Sequence, residues 1–75
     1  MKGVKIWIVF VHDKHGDPMI IPYLMYSDAK ADFDKRCNLA NAHYHTAEKP
    51  AQYGDGLTFN IEDGCTINLI TRVIQ

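Results

Sequence analysis

The side chains best suited to chemistry in this sequence are its four histidines, which fall in two close groups. His12 and His15 lie in the segment His12-Asp13-Lys14-His15-Gly16-Asp17-Pro18, and His43 and His45 flank Tyr44. Imidazole nitrogens together with the Asp13 and Asp17 carboxylates are the ligand types that suit zinc, nickel, manganese or iron. A histidine beside an aspartate, as in His12-Asp13 or His15 with Asp17, can also have its tautomer fixed and its pKa drawn toward neutrality, as acid and base chemistry requires. Against the metal reading, His-Asp-x-His-x-Asp matches no strong ligand spacing, and Asp, Gly and Asp-Pro are residues that a tight turn selects for its own geometry. His43 and His45, near a helix C-terminus, fit the negative end of the helix dipole and need do no more than cap it. No nucleophile elbow, glycine-rich phosphate loop or H-E-x-x-H helix accompanies them, so no catalytic residue is assigned and the expectation is a non-enzyme.

Both chemical readings need the two groups to meet, and the elements between them decide that. Val4 to Val11 is rich in β-branched and aromatic residues and apolar on both faces, which predicts a central strand. Met19 to Tyr26 predicts a second strand, confined to an edge because Pro22 cannot donate a ladder hydrogen bond. Ala29, Phe33, Cys37, Ala40 and Tyr44 fall on one arc at helical spacing, predicting a helix over Asp28 to Tyr44 with Ser27 or Asp28 as N-cap. The charges Lys30, Asp32, Lys35 and Arg36 lie off that arc and read as a solvated face. His45 to Gly56 reads as one long loop, broken by Pro50, Gly54 and Gly56.

Two further strands follow, Leu57 to Ile61 and Cys65 to Ile74, each with alternating apolar residues. A two-residue Asp63-Gly64 turn would oppose Phe59 to Asn68 and mix inward with outward residues. A three-residue loop, Glu62-Asp63-Gly64 with Gly64 left-handed, instead pairs Leu57 with Leu69, Phe59 with Ile67 and Ile61 with Cys65. The expected fold is therefore α+β: a single domain over residues 1–75 with a four-stranded antiparallel sheet, ββαββ, and one helix packed on one face. The second strand descends about 26 Å and the helix climbs back about 24 Å, which brings both histidine groups to one pole. The candidate metal set there is His12, His15, Asp17, His43 and His45.

One helix leaves the other sheet face uncovered, and the residues expected there are Trp7, Val9, Val11, Ile70 and Ile74. Such an apolar patch marks a partner or homodimer interface unless the long loop folds over it. Eight Lys plus Arg against nine Asp plus Glu give a net charge of −1, which supplies no basic field for nucleic acid. The two cysteines, Cys37 and Cys65, are too few for a disulfide scaffold and read as reduced core thiols. The apolar run Ile6 to Val11 is too short for a signal peptide or a membrane span, so a soluble, cytoplasmic protein is expected.

The order of strand, Asp-x-His-x-Asp turn (Asp13, His15, Asp17), strand, alanine-containing helix and C-terminal hairpin resembles small uncharacterised ββαββ proteins of phages and bacteria. The resemblance spans nearly the whole chain and brings no catalytic residue or cofactor with it. It implies a compact accessory protein that binds and inhibits a host enzyme or defence complex, in the manner of an anti-CRISPR-like inhibitor acting in the host cytoplasm. The expected partner is thus a protein, with no cofactor unless the histidine pole takes a divalent metal. The alternative is a metal-dependent or histidine-based hydrolase or nuclease at that pole.

Overall fold

Ten residues without glycine or proline form one uninterrupted strand, β1 (Val4–Asp13), and ten more form the last strand, β5 (Cys65–Ile74). They pair antiparallel along their whole length, from Val4 opposite Ile74 to Asp13 opposite Cys65. The computed structural model describes residues 3–74; Met1, Lys2 and Gln75, on the first of which the signal-peptide reading partly rests, lie outside the described residues. Around the central pair the sheet adds β2 (Met19–Tyr23) on one side and β4 (Gly56–Asn60) then β3 (Ala51–Tyr53) on the other, in the order β2-β1-β5-β4-β3. All four pairings are antiparallel. The fold class is α+β as expected, and Pro22 sits on an edge strand as its missing N–H requires.

The sheet has five strands where the sequence predicts four, because the segment expected as loop contains β3. Tyr53 pairs with Gly56 across a two-residue Gly54-Asp55 turn, with Gly54 at φ 58. That is the first central position, where a tight hairpin calls for a glycine. The second hairpin keeps the expected register, Leu57 opposite Leu69 and Phe59 opposite Ile67. Its left-handed residue, however, is Asp63 at φ 60 and not Gly64. Gly64 is required for space instead: a Cβ there would lie 2.9 Å from the Ile61 side chain and 3.0 Å from the Tyr44 ring.

The helix, α1 (Tyr26–Tyr44), starts earlier than expected and is not capped by Ser27 or Asp28. Its N-cap is Met25, in extended conformation, with no side-chain cap; the Met25 carbonyl accepts from the Ala29 N–H at 3.2 Å. The helix ends on His45, in the left-handed region at φ 55 and ψ 46, with the Thr46 N–H returning to the Asn41 carbonyl at 2.9 Å. This closure ordinarily selects glycine. Asn41 then ties down the following segment, accepting from the Thr46 hydroxyl and the Glu48 N–H and donating to the Glu48 carbonyl.

The helix presents Ala29, Phe33 and Cys37 to the sheet, the arc its spacing predicts. From the sheet come Val9, Ile67, Leu69 and Phe59, with Trp7, Val11, Ile21, Tyr23 and Leu57 at the margins. This corrects the expected surface: Trp7, Val9 and Val11 face the helix, and Val9 is fully buried. The reason is register, since Val9 stands opposite Leu69 and Ile21, whereas Ile70 stands opposite Ile8 on the other face. Phe33, fully buried in the cluster with these strand residues, anchors this packing. Phe33→Ala should cost about 3–5 kcal/mol, enough to leave a domain this small largely unfolded; urea denaturation followed by far-UV circular dichroism measures it.

Candidate functional site

Two regions answer to the sequence expectations, the histidine pole and the uncovered sheet face. At the pole the β1 terminus, the β1–β2 turn, the β4–β5 turn and the end of α1 converge. Asp13 Oδ1 accepts the His15 N–H at 2.8 Å, and Asp13 Oδ2 accepts the Tyr44 hydroxyl at 3.1 Å. The Lys14 N–H donates to the Gly64 carbonyl at 2.9 Å, joining the two turns. His43 packs edge-on against Tyr44 with ring centroids 4.7 Å apart. The backbone N–H of His15 lowers the Asp13 pKa most; the Tyr44 hydroxyl and the nearby His15 and His43 add to this, while desolvation opposes it.

Both histidine groups therefore lie at one end of the sheet, but the candidate ligands do not converge. His12 pairs with Thr66 on the open face, whereas Asp13, one residue on, points to the helix side where His43 lies. His15 and Asp17 sit exposed in the turn, and His45 closes the helix through its backbone. Among the described residues no three His, Cys, Asp or Glu side chains gather where they could hold a metal ion. This corrects the expected set of His12, His15, Asp17, His43 and His45. Asp13 does what turn chemistry expects of it, capping its own turn, and its bond to Tyr44 is the contact that sequence spacing did not show.

A second unforeseen cluster fastens the edge strand. The Tyr23 hydroxyl donates to Asp32 at 2.8 Å, Arg36 Nε donates to both Asp32 oxygens at 3.0 Å, and Arg36 Nη1 reaches the Met19 sulfur at 3.5 Å. Asp32 and Arg36 are thus a bridge from α1 to β2, not merely a solvated face. The hydrogen bond to Asp32, with burial, raises the Tyr23 pKa. The thiols of Cys37 and Cys65 are free and buried, and burial pushes Cys37 up to about 12, which leaves it protonated and unreactive.

The face away from the helix carries Val4, Ile6, Ile8 and Phe10 from β1, Ile20 and Pro22 from β2, and Ile70 and Ile74 from β5. Of the residues expected there, Ile70 and Ile74 are in place. The cross-strand rows run Ile20 to Phe10, Pro22 to Ile8 to Ile70, and Val4 to Ile74, so the apolar surface is continuous. Ile20 is 64% exposed, and Val4 and Ile74 are each 55% exposed. Toward β4 the face turns polar, and there the hydroxyl of Thr58 bonds Asn68 at 2.6 Å and that of Thr66 bonds Asn60 at 2.9 Å. No described helix covers the apolar half, and the segment after α1 runs to the sheet edge as β3 and leaves the face open. No described helix is long and apolar enough to cross a membrane.

No protein-family model, curated protein or solved structure compared with the chain matches it.

Two outcomes test the pole as built. Because Asp13 is held below its ordinary 3.8, it adds stability above that pH and loses it as pH falls through the lowered folded value. Tyr44→Phe should move the Asp13 carboxyl back up toward 3.8, read by its 13C shift in an NMR titration. His45→Gly should stabilise the chain by about 1 kcal/mol, by relieving a left-handed residue, in urea denaturation.

Proposed function

We propose that the chain is a non-enzymatic protein-binding module that docks its partner on the open, apolar half of the sheet. The observation that carries this reading is the unbroken row system from Ile20 and Pro22 through Ile8 and Phe10 to Ile70 and Ile74, with no helix over it. A domain this small stabilises itself by covering apolar surface, so β-branched residues displayed on an open face carry a cost that binding removes. The polar half beside them satisfies its own hydrogen bonds within the Thr58–Asn68 and Thr66–Asn60 pairs, and it forms the rim. The resemblance to phage proteins makes the partner a host protein, inhibited or modulated by contact in the cytoplasm.

Affinity capture from a bacterial host lysate tests the surface. The wild-type chain should recover a defined protein, and the Ile20→Asp, Ile70→Asp double variant should recover about tenfold less, because each carboxylate must be desolvated in the interface. Leu39→Asp, on the outer surface of α1, should recover as much as wild type. Thermal midpoints of both variants check that they fold. Equal recovery by the two variants would falsify this surface.

A further inference from the structure

Over its first half β5 has a neighbour on each side, but its ladder with β4 stops at Leu57 opposite Leu69, while its ladder with β1 continues to Ile74. The Cys65 carbonyl accepts the Ile61 N–H at 2.8 Å, so the main-chain groups of Cys65 face β4. Antiparallel alternation carries the same direction to Ile67, Leu69, Thr71 and Val73. Gly56 agrees with this, since a Cβ there would lie 1.9 Å from the Leu69 carbonyl oxygen. Thr71 and Val73 therefore aim N–H and C=O groups past the point where β4 has ended, and no strand among the described residues meets them. The Thr71 carbonyl accepts Arg72 Nη1 at 2.8 Å, a side-chain donor where a neighbouring strand would otherwise supply one.

The other edges offer less. Alternation from the Ile6–Arg72 pair turns Ile20 and Pro22 outward on β2, and Pro22 has no N–H to give. β3 is only three residues long. We infer that the free edge of β5 at Thr71 and Val73 is a strand-addition site for an extended segment of a protein partner carrying an acidic residue two positions from an apolar one. The pattern follows from the side chains that flank the edge on the open face. Ile70 already has Gly56 beside it, so the open positions are Arg72, which calls for a carboxylate across the new ladder, and Ile74, which calls for an apolar neighbour. A second copy of β5 centred on Arg72 would set two guanidinium groups opposite each other, which disfavours self-pairing. The β3–β4 turn, Tyr53 to Gly56, walls one end of the gap as a cleft of about 220 Å³ and limits how far the added strand extends.

This inference rests on the protein-binding reading and names its backbone component. Its probe is a short peptide with glutamate and isoleucine two positions apart, and its control has lysine in place of glutamate. With the glutamate peptide, amide exchange at Thr71 and Val73 should slow by about tenfold or more, and the lysine peptide should bind about tenfold more weakly. Val73→Pro removes an outward N–H and should abolish binding, and Arg72→Glu should reverse the peptide preference whether or not the proline variant folds. Unchanged exchange at Thr71 and Val73 with the peptide at millimolar concentration overturns the inference, as does full binding by a folded Val73→Pro. Perturbation confined to Ile8 and Phe10 would leave the open-face reading standing and remove only the edge.

Discussion

The ladder between β1 and β5 is the constraint on which the rest of the molecule depends. It runs for ten residue pairs, and the flanking strands reach only part of it: β2 spans Trp7 to Val11, β4 spans Thr66 to Leu69, and β3 pairs with β4 alone. The helix lies over the same upper part, against Val9 and Leu69. What remains below is a two-stranded ribbon, Val4 to Ile6 with Arg72 to Ile74, with apolar residues on both of its faces. Long strands in a small domain thus produce an elongated body, 47 × 22 × 19 Å, with a radius of gyration of 12.8 Å. A compact chain of this length would have about 11 Å. The open edge is a product of that excess length, and the open face follows from there being one described helix, on one side of the sheet.

Strand alternation also explains why the histidine pole gathers residues without gathering ligands. Consecutive residues on a strand point to opposite sides, so His12 and Asp13 separate at once, one to the open face and one toward α1. The sheet stands between them. Asp13 is left to organise the turn and to hold the end of α1 through Tyr44, while Gly64 leaves the space in which the Tyr44 ring rests. The pole reads as a structural knot of three connections.

Much of this was legible in the residues. Ala29, Phe33 and Cys37 repeat at helical spacing and are the buried face of α1, and the parity of Leu57 and Phe59 against Ile67 and Leu69 dictates the second hairpin. Pro22 announces its edge. The face of β1 was not legible from β1 itself, because Trp7, Val9 and Val11 are no more apolar than Ile6, Ile8 and Phe10. Only the partner decides it, since Val9 stands beside Leu69 and cannot share a surface with Ile70. Ala51-Gln52-Tyr53 is only three residues, too short for its alternation to stand out, and its stronger strand signal is the Gly54-Asp55 turn that follows. The start of α1 at Met25 was hidden because its cap is made by backbone alone.

Since the central ladder joins the first strand to the last, its pairs are separated by some fifty to seventy positions along the chain, and none of it can form while β5 is still unmade. Loop-closure entropy must be met before those contacts repay it, and topologies dominated by such contacts fold slowly. During synthesis the helix has no finished sheet to lie on, and the apolar runs of β1 and β2 wait with only each other. The domain can close only once β5 has been made, so its core is assembled on the last of its strands.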